Sequence, residues 1–566
     1  MTRLLSVLTA LLLLSACATN APRHSPASVA PPVWNPESAS PDIPATSREE
    51  AATGADLVPA PESTVPLRLE EAIIAAFERN LSIEVSELDP EIAETFIDEA
   101  RADFDPAVAA SIRTGRNTRR IETDNRTTGI GTVISNGARP GADDSPLDLI
   151  FDGIETVVGS LQPSTTTSRV RDVTGGAALS QRLPTGTAIT ATADYTEVDS
   201  NVARDSFEGG WNLEVSQALL RGAGLNVNLA TLRRARNNAA ISFHAFRRQV
   251  LNVVRDVELR YWDLVRAREV LAISEFAVQL AAEQERLTQD LLAAGRGVEA
   301  DVLSAQAERA TRQADVTDAL AQIKATNIAL VRLMNPQQEN PFAIAYQPET
   351  PPDTPAVAVE EAQSTQLAMQ YRPELAQVRL DLANADIDVL AARNGLLPRL
   401  DLVGSYGRAN GGRARRDAFN AFGGGADDEA YAVGLEFDMP VLRRGEKARY
   451  RRSKLNQTQS ERIIADSEQA VEAETRQAVV EVQRQWARIE PTQEAVRARQ
   501  RELETAQARF TSGRSTALDV LIVQRNYIQA QLEEVSARVG YLQALTSLFA
   551  AEGTLLERRG IRLAEE

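Results

Sequence analysis

The side chains that most often carry out chemistry are scarce in this 566-residue chain, which has one cysteine, Cys17, and two histidines, His24 and His244. Nucleophilic catalysis needs a thiol, hydroxyl or amine held beside a base, and a structural zinc needs several Cys or His ligands brought together. One Cys and two widely separated His supply neither, and they exclude a disulfide framework. No phosphate loop, no Gly-x-Ser-x-Gly elbow and no His-Glu-x-x-His helix occurs. His24 lies in a proline-rich stretch. His244 sits at helical spacing among Phe243, Phe246 and Val250, the position of a packed helix residue rather than a base. The expectation is no catalytic site, no metal, no cofactor and no enzyme.

Acidic residues outnumber basic ones 79 to 61, a net charge of −18. That balance argues against a nucleic-acid partner, because such binding runs on Lys and Arg. Apolar residues make up 43% and charged ones 25%, close to globular averages, so neither wholesale disorder nor a polytopic helical membrane protein fits.

Met1 to Ala16 opens with Arg3, continues through an apolar stretch from Leu4 to Leu14 and closes on small residues, the layout of an export signal. Cys17 ends the run Leu14-Ser15-Ala16-Cys17, which resembles the bacterial lipoprotein box. The resemblance implies cleavage after residue 16, acylation of the Cys17 thiol with palmitate-type lipid and, since Ala18 rather than Asp follows, delivery to the outer membrane. Several acyl chains on one residue anchor far better than one. Ala21 to Pro66 holds ten prolines among Ser, Thr and Ala. Such a composition favours extended conformations over a core, so residues 17–66 read as a lipidated tether.

The rest of the chain is an internal duplication. Shifted by 292, Leu88, Asp89, Ala93, Ala100, Arg101 and Pro106 fall on Leu380, Asp381, Ala385, Ala392, Arg393 and Pro398. Shifted by 218, Arg233, Arg234, Asn238, Gly295, Arg296, Asp301, Val302, Leu303 and Gln306 fall on Arg451, Arg452, Asn456, Gly513, Arg514, Asp519, Val520, Leu521 and Gln524. The 292 less the 218 leaves 74 extra residues in the first copy, between Pro106 and Arg233. The expected organisation is a first repeat over 67–335 with an insertion at about 114–208, a proline-rich inter-repeat segment over 336–359, a second repeat over 360–556 and a tail over 557–566.

Each repeat runs helix, strands, helix. Leu69 to Ala102 is helix-forming; after Pro106 the period falls to two, and helix resumes near Asn228. The second copy repeats this over Glu360–Asn394, Leu400–Met439 and from Lys447 onward. Trp211, Leu213, Val215 and Leu219 oppose Asn212, Glu214 and Ser216, while Tyr431, Val433, Leu435 and Phe437 oppose Gly434, Glu436 and Asp438. One apolar and one polar face suits a sandwich or a membrane barrel. Within the insertion, Gly175, Ala177, Leu179 and Leu183 alternate with Gly176, Ser180 and Arg182. Ile189 to Thr196 alternates likewise, and Pro184-Thr185-Gly186 joins the two. This hairpin either raises the strands to six per chain or projects from a set of four.

From Arg233 to Gly295 and from Arg451 to Gly513, each span of 62 residues has no internal glycine, roughly 90 Å of helix at 1.5 Å per residue. Val250, Val254, Val257, Tyr261, Leu264, Leu271 and Val278 follow four-three spacing, with Arg268 and Glu275 filling two further seam positions, a heptad stripe for packing on another long helix. Each long helix ends at a glycine turn, Gly295-Arg296-Gly297 or Gly513-Arg514-Ser515, from which a shorter helix returns. Pro491 is expected to bend the second long helix.

The lipidated start, the duplicated unit, the Leu219-Leu220-Arg221-Gly222 junction, Tyr371-Arg372-Pro373-Glu374-Leu375 and the paired Gly-Arg…Asp-Val-Leu turns together resemble the TolC family of outer-membrane efflux proteins. The resemblance covers about Leu67 to Leu556. It implies mixed α and transmembrane β structure: duplicated helical hairpins forming a periplasmic α-barrel, and strands pooled into one trimeric outer-membrane β-barrel. It implies a homotrimer in outer-membrane lipid, acting as a passive exit duct of a tripartite efflux or type I secretion system. Such a duct docks an inner-membrane pump through a periplasmic adaptor, a membrane fusion protein, at its tips, here Gly295, Arg296, Gly297, Gly513, Arg514 and Ser515. Acidic rings constrict the family's tunnel just past the second turn; the matching positions are Asp519, kept acidic, and Ile522, where the acid is lost. Asp519 and Asp301 also suit the first turn of a helix, where an acid is stabilising. Two other classes compete, a periplasmic coiled-coil adaptor and an envelope-anchored hydrolase. Split strand sets argue against the first and absent motifs against the second.

If Cys17 is the lipidated N-terminus, Cys17→Ser abolishes incorporation of radiolabelled palmitate; undiminished labelling would show that the thiol carries no lipid.

Overall fold

The computed structural model describes residues 63–122, 165–201, 203–423 and 428–563, all within the unit that residues 61–566 form by their contacts. Cys17, the export signal, His24 and most of the tether lie outside the described residues, as does the centre of the insertion.

Strand β1 (Ser63–Leu67) leads into helices α1 (Leu69–Arg79) and α2 (Leu81–Ala102). Strands β2 (Ala107–Glu122), β3 (Thr165–Arg182), β4 (Thr187–Ser200) and β5 (Ser206–Ala218) follow. Then come α3 (Ala230–Ala293), α4 (Glu299–Met334), β6 (Ile344–Pro348), α5 (Glu361–Tyr371) and α6 (Pro373–Asn394). The chain continues through β7 (Arg399–Gly412), β8 (Asp428–Asp438), α7 (Arg444–Thr511) and α8 (Ala517–Ala551). The duplication holds to the residue: α1, α2 and the start of β2 recur as α5, α6 and the start of β7 at an offset of 292, and the end of α3 and start of α4 recur at 218 in α7 and α8.

Helices α3 and α7 run 64 and 68 residues, about 95 and 100 Å at the α-helical rise. Pro491 lies inside α7 without ending it; the ring removes one backbone bond, and the turns on either side keep theirs. The helix expected over Leu69–Ala102 is two helices. Asn80 ends the first and caps the second, its Oδ1 accepting from the Ser82 and Ile83 amides while its Nδ2 donates to the Leu333 carbonyl at 2.7 Å. In the second copy the break falls at Arg372, which the following proline holds extended.

Val250, Val254, Val257, Tyr261 and Leu264 are fully buried, as the heptad requires. Beyond Leu264 the seam slips by one residue to Ala267, Ser274, Ala277, Ala281, Gln284 and Thr288. Leu271 and Val278 are only half-buried and Glu275 is exposed. A 3.6-residue turn drifts about 20° per heptad against a 3.5 repeat, so a straight helix rotates its buried stripe. Arg268 leaves the seam to donate to the Tyr346 carbonyl at 2.7 Å.

The proline-rich segments also hold strands. β1 pairs in parallel with β6, so Ser63–Leu67, expected as part of the tether, belongs to the fold. Asn327 clamps β6 from α4, donating to the Ile344 carbonyl at 2.6 Å and accepting from the Tyr346 amide at 2.9 Å. Tyr261 donates to the Leu67 carbonyl at 3.0 Å. The largest hydrophobic cluster joins these strands to α1, α3, α4, α7 and α8.

All remaining strands form one antiparallel sheet, in the order β2-β3-β4-β5-β7-β8. The inserted hairpin β3-β4 lies between β2 and β5, so six strands is the outcome. One cross-strand row reads Val108, Leu179, Ala191, Leu213, Tyr406, Tyr431, and another Ile189, Val215, Gly404, Val433. The alternate rows read Ala109, Ala178, Thr192, Asn212, Gly407, Ala430 and Ser180, Thr190, Glu214, Ser405, Ala432. One face is therefore apolar across all six strands. Gly186 closes the hairpin in a left-handed conformation (φ 89°), and a Cβ there would stand 2.3 Å from the Gly222 carbonyl oxygen. The hairpin turn thus rests on the Leu-Leu-Arg-Gly junction, where only glycine fits.

The segment after Leu556, expected as a tail, packs. Glu258, fully buried on α3, accepts from Arg559 Nε at 2.5 Å, Arg559 Nη2 at 2.8 Å and Thr546 Oγ1 at 2.8 Å. Arg559→Ala leaves a buried carboxylate without its cation and is expected to cost about 3 kcal/mol in denaturant unfolding. Glu258→Gln/Arg559→Ala recovers part of that loss, since no buried charge remains.

Candidate functional site

The turns that join α3 to α4 and α7 to α8 carry the residues that the sequence singles out. At both turns the backbone closes in the same way. Gly295 and Gly513 are left-handed, at φ 68° and 75°. The Arg296 amide donates to the Leu291 carbonyl and the Arg514 amide to the Arg509 carbonyl, each at 2.9 Å. These 6→1 bonds satisfy carbonyls that the helix end would leave unpaired, and only glycine takes that conformation at no steric cost. Gly297 faces a different demand: a Cβ there would meet the Leu292 amide at 3.0 Å. Arg296 and Arg514 are exposed, and Ser515 is half-buried. The two turns are joined, because Phe510, Ala517 and Val520 pack against Leu287 and Leu291 of the first repeat.

Asp519 is bound into the start of α8. Its Oδ2 accepts from the Thr516 amide at 3.0 Å, from Thr516 Oγ1 at 2.7 Å and from Ser515 Oγ at 3.1 Å, while Thr516 Oγ1 accepts from the Asp519 amide at 3.2 Å. This reciprocal capping box holds the Asp519 carboxyl below its ordinary value, chiefly through the Thr516 amide, then the Thr516 and Ser515 hydroxyls. In the first repeat Val298 occupies the cap, and no side chain caps α4 there. Asp301 acts on that helix only through the charge it places in the first turn. Asp519 and Ile522, three residues apart on one helix face, are both exposed.

Sequence reasoning missed a second feature of this end. Glu308, buried on α4, accepts from Arg312 Nη2 at 2.7 Å and Nε at 3.0 Å and from Arg525 Nε at 3.0 Å, with a closer contact to Arg525 Nη2. Burial alone would raise its pKa, but the hydrogen bonds and charges of Arg525 and Arg312 outweigh it and hold the carboxyl below its ordinary value. Arg525 comes from α8, so this buried carboxylate ties the returning helices of the two repeats together. A single charged residue on a helix carries no signal of this in the sequence, because the tie exists only with its partner. His244 is half-buried beside Phe243, 6.0 Å between ring centres.

Residues 365–554 match the family model described as outer membrane efflux protein. The chain is 24% identical over 309 residues to the proteases secretion protein PrtF of Dickeya chrysanthemi, covering 53% of this chain and 63% of that one. It is 25% identical over 319 residues to the pyoverdine export outer membrane protein OpmQ of Pseudomonas aeruginosa, covering 54% and 61%. The matched region thus spans somewhat under two thirds of those relatives. In structure the chain is similar to the Campylobacter jejuni CmeC outer membrane channel, with a TM-score of 0.59, 16% identity and 86% of each chain covered. The family match falls within the second repeat, and the described fold is similar to that of the solved outer membrane channels.

Both carboxyls at this end have folded pKa values below their unfolded ones, so their stabilisation is present above the ordinary carboxylate range and is lost as pH falls through the folded values. Protection factors from amide hydrogen exchange at residues 299–312 and 512–526, which remove the pH dependence of the intrinsic rate, should therefore hold from neutral pH to about pH 4 and fall below it. Glu308→Gln is expected to lose about 1–2 kcal/mol at neutral pH, discounted because Arg525 is largely exposed, and to flatten the acid dependence around residue 308.

Proposed function

We propose that this protein is the outer-membrane exit duct of a tripartite efflux or type I secretion system. The observation that carries the reading is the six-stranded sheet, apolar on one face and ending in two free edges, set on paired helices about 100 Å long. Open edges are not tolerated in hydrocarbon, where every backbone polar group needs a partner, so the sheet must close with copies of itself. The β2 and β8 edges run antiparallel, and a homotrimer would pool eighteen strands from three six-stranded sheets. No described helix is long and apolar enough to cross a membrane; in this reading the sheet is the spanning element. The apolar face meets lipid, the polar face lines the lumen, and the helices extend into the periplasm.

Transport through such a duct is passive. An inner-membrane pump supplies the energy, and a periplasmic adaptor engages the turns at Gly295-Arg296-Gly297 and Gly513-Arg514-Ser515. Asp519 serves twice in this reading: it caps α8, and in the trimer three copies face one axis as an acidic ring, with Ile522 adding an apolar constriction next to it. Charged rings of this kind select by sign. An adaptor of the coiled-coil class would not need strands from both repeats joined in one sheet with an exposed apolar face. Cys17 supplies a lipid anchor beside the barrel.

The test is reconstitution of the purified chain in planar bilayers. Stable pores with a cation preference and block by multivalent cations are expected, and Asp519→Asn should weaken both. Pores whose selectivity is indifferent to that substitution would leave Asp519 a helix cap only; a protein that forms no pores is not a duct.

A further inference from the structure

The far end of the sheet, where β2 leaves the described residues, carries a charge pattern that neither folding nor a passive duct requires. On the face that bears Leu179 and Leu213, Arg116 of β2 stands directly opposite Arg171 of β3, and Arg169 lies one step further along β3 on the same face. Side chains directly opposite sit about 5 Å apart and diagonal ones about 7–8 Å, and like charges so placed are destabilising. All three guanidiniums are exposed, and among the described residues none has a carboxylate within ion-pair distance. Asp199 lies opposite Arg171 across β4. The other nearby acid, Glu197, feels the charge of Arg171 but is held by Arg415 at 2.6 Å and by the Tyr195 hydroxyl at 3.1 Å. With Asp199 the one acid left to three arginines, the cluster keeps a net positive charge in a chain of net charge −18, and an anion from outside would balance it.

Their level along the strands indicates which anion. Tyr195, Trp211, Tyr406 and Tyr431 end the apolar rows on this face, as aromatic belts do at a membrane interface. The Arg116–Arg171 row continues to Asp199, four residues beyond Tyr195. That is about 13 Å along a strand, or roughly 9–10 Å along the membrane normal at usual barrel tilts, which is the headgroup layer. The short helix Arg415–Asn420 lies on the same face at this level. Ala418 and Ala421 are fully buried, and the Ala418 carbonyl oxygen would stand 2.3 Å from a Cβ on Gly209. Phe419 stacks on Tyr195 with ring centres 5.3 Å apart, and Phe422 stands 6.3 Å from Phe419. Both phenylalanines keep part of their surface outward, as groups resting in an interface do.

We propose that Arg116, Arg169 and Arg171 form a binding site for the phosphate groups of an anionic membrane lipid, at the outer rim of the lipid-facing surface. Guanidinium forks pair with phosphate oxygens two at a time, and a phosphate placed among three of them turns their mutual repulsion into shared attraction. A phosphorylated glycolipid of the outer leaflet has the required chemistry, with acyl chains to lie along the apolar rows below. The inference rests on the duct reading, since it needs this face in lipid.

The experiment uses the full chain purified in detergent, with bisphosphorylated lipid A and its phosphate-free counterpart as probes and native mass spectrometry to count retained lipid. Wild type should prefer the phosphorylated form by about tenfold, the scale of one charge-assisted pair. Arg116→Gln/Arg169→Gln/Arg171→Gln should lose that preference while still forming pores, and Arg116→Gln alone should lose about half of it on a logarithmic scale. Equal retention of both lipids by wild type, or an undiminished preference in the triple variant, overturns the site. Displacement of lipid A by millimolar inorganic phosphate would assign the site to a free ion and overturn the lipid reading. Pore formation is recorded on the same samples: pores without phosphate preference sink this site and leave the duct, whereas no pores sink the duct itself.

Discussion

The alternation of the strands is the constraint on which the rest depends. Side chains repeat every two residues in a sheet, so a slip of one residue in any of the five pairings would turn that strand's apolar set to the polar face. The observed register avoids this from β2 to β8, although the strands come from two repeats and an insertion. Turn geometry fixes much of it. The Leu183 amide donates to the Thr187 carbonyl at 2.8 Å, and the Gly186 amide to the Leu183 carbonyl at 3.0 Å, which sets the β3-β4 register. The Gly186 carbonyl then accepts from the Ala218 amide at 3.0 Å, so the hairpin is registered against β5 from the same turn.

Below the sheet, the helices meet a different requirement. A heptad seam can stay in place over a long pair only if the helices coil around each other. Here the seam slips after Leu264, at the level where Arg268 engages β6 and the two strands of the proline-rich segments pack on α1, α3 and α4. That belt fills the space the rotating stripe leaves. Past it, packing passes to smaller clusters, one around Ala277, Leu280 and Tyr527 and one around Phe510 and Val520, with the buried Glu308 tying α4 to α8 between smaller side chains.

Much of this was legible in the sequence because it is periodic or punctuated. Period-two alternation identified the strands, glycine marked the turns, and the offsets of 292 and 218 located the repeats. What escaped was pairwise. Asn80 breaks a helix because its side chain can reach Leu333, 253 residues away. Glu308 is a tie only because Arg525 faces it across 217 residues. Whether β3-β4 projected or joined the sheet turned on its neighbours rather than on its own composition. Arg116 and Arg171 look like ordinary solvated residues until the register sets them opposite each other. The extra capping of the second turn is half visible in the sequence: Asp519 suits a cap or a gate alike, and only the fold shows Thr516 making the cap reciprocal.

The insertion of β3-β4 has a consequence for how such a chain can change over evolutionary time. A hairpin enters a sheet with both its ends on one side, so β2 and β5 keep their directions and the helices below start and finish where they otherwise would. A single added strand would send the chain out on the wrong side and oblige every later element to reverse. Growth of this sheet is therefore restricted to even steps, and a duplication of one hairpin is the smallest event that widens it without disturbing the helical half. The Gly186–Gly222 contact shows what the hairpin requires, since its turn fits only where two glycines bring backbones together.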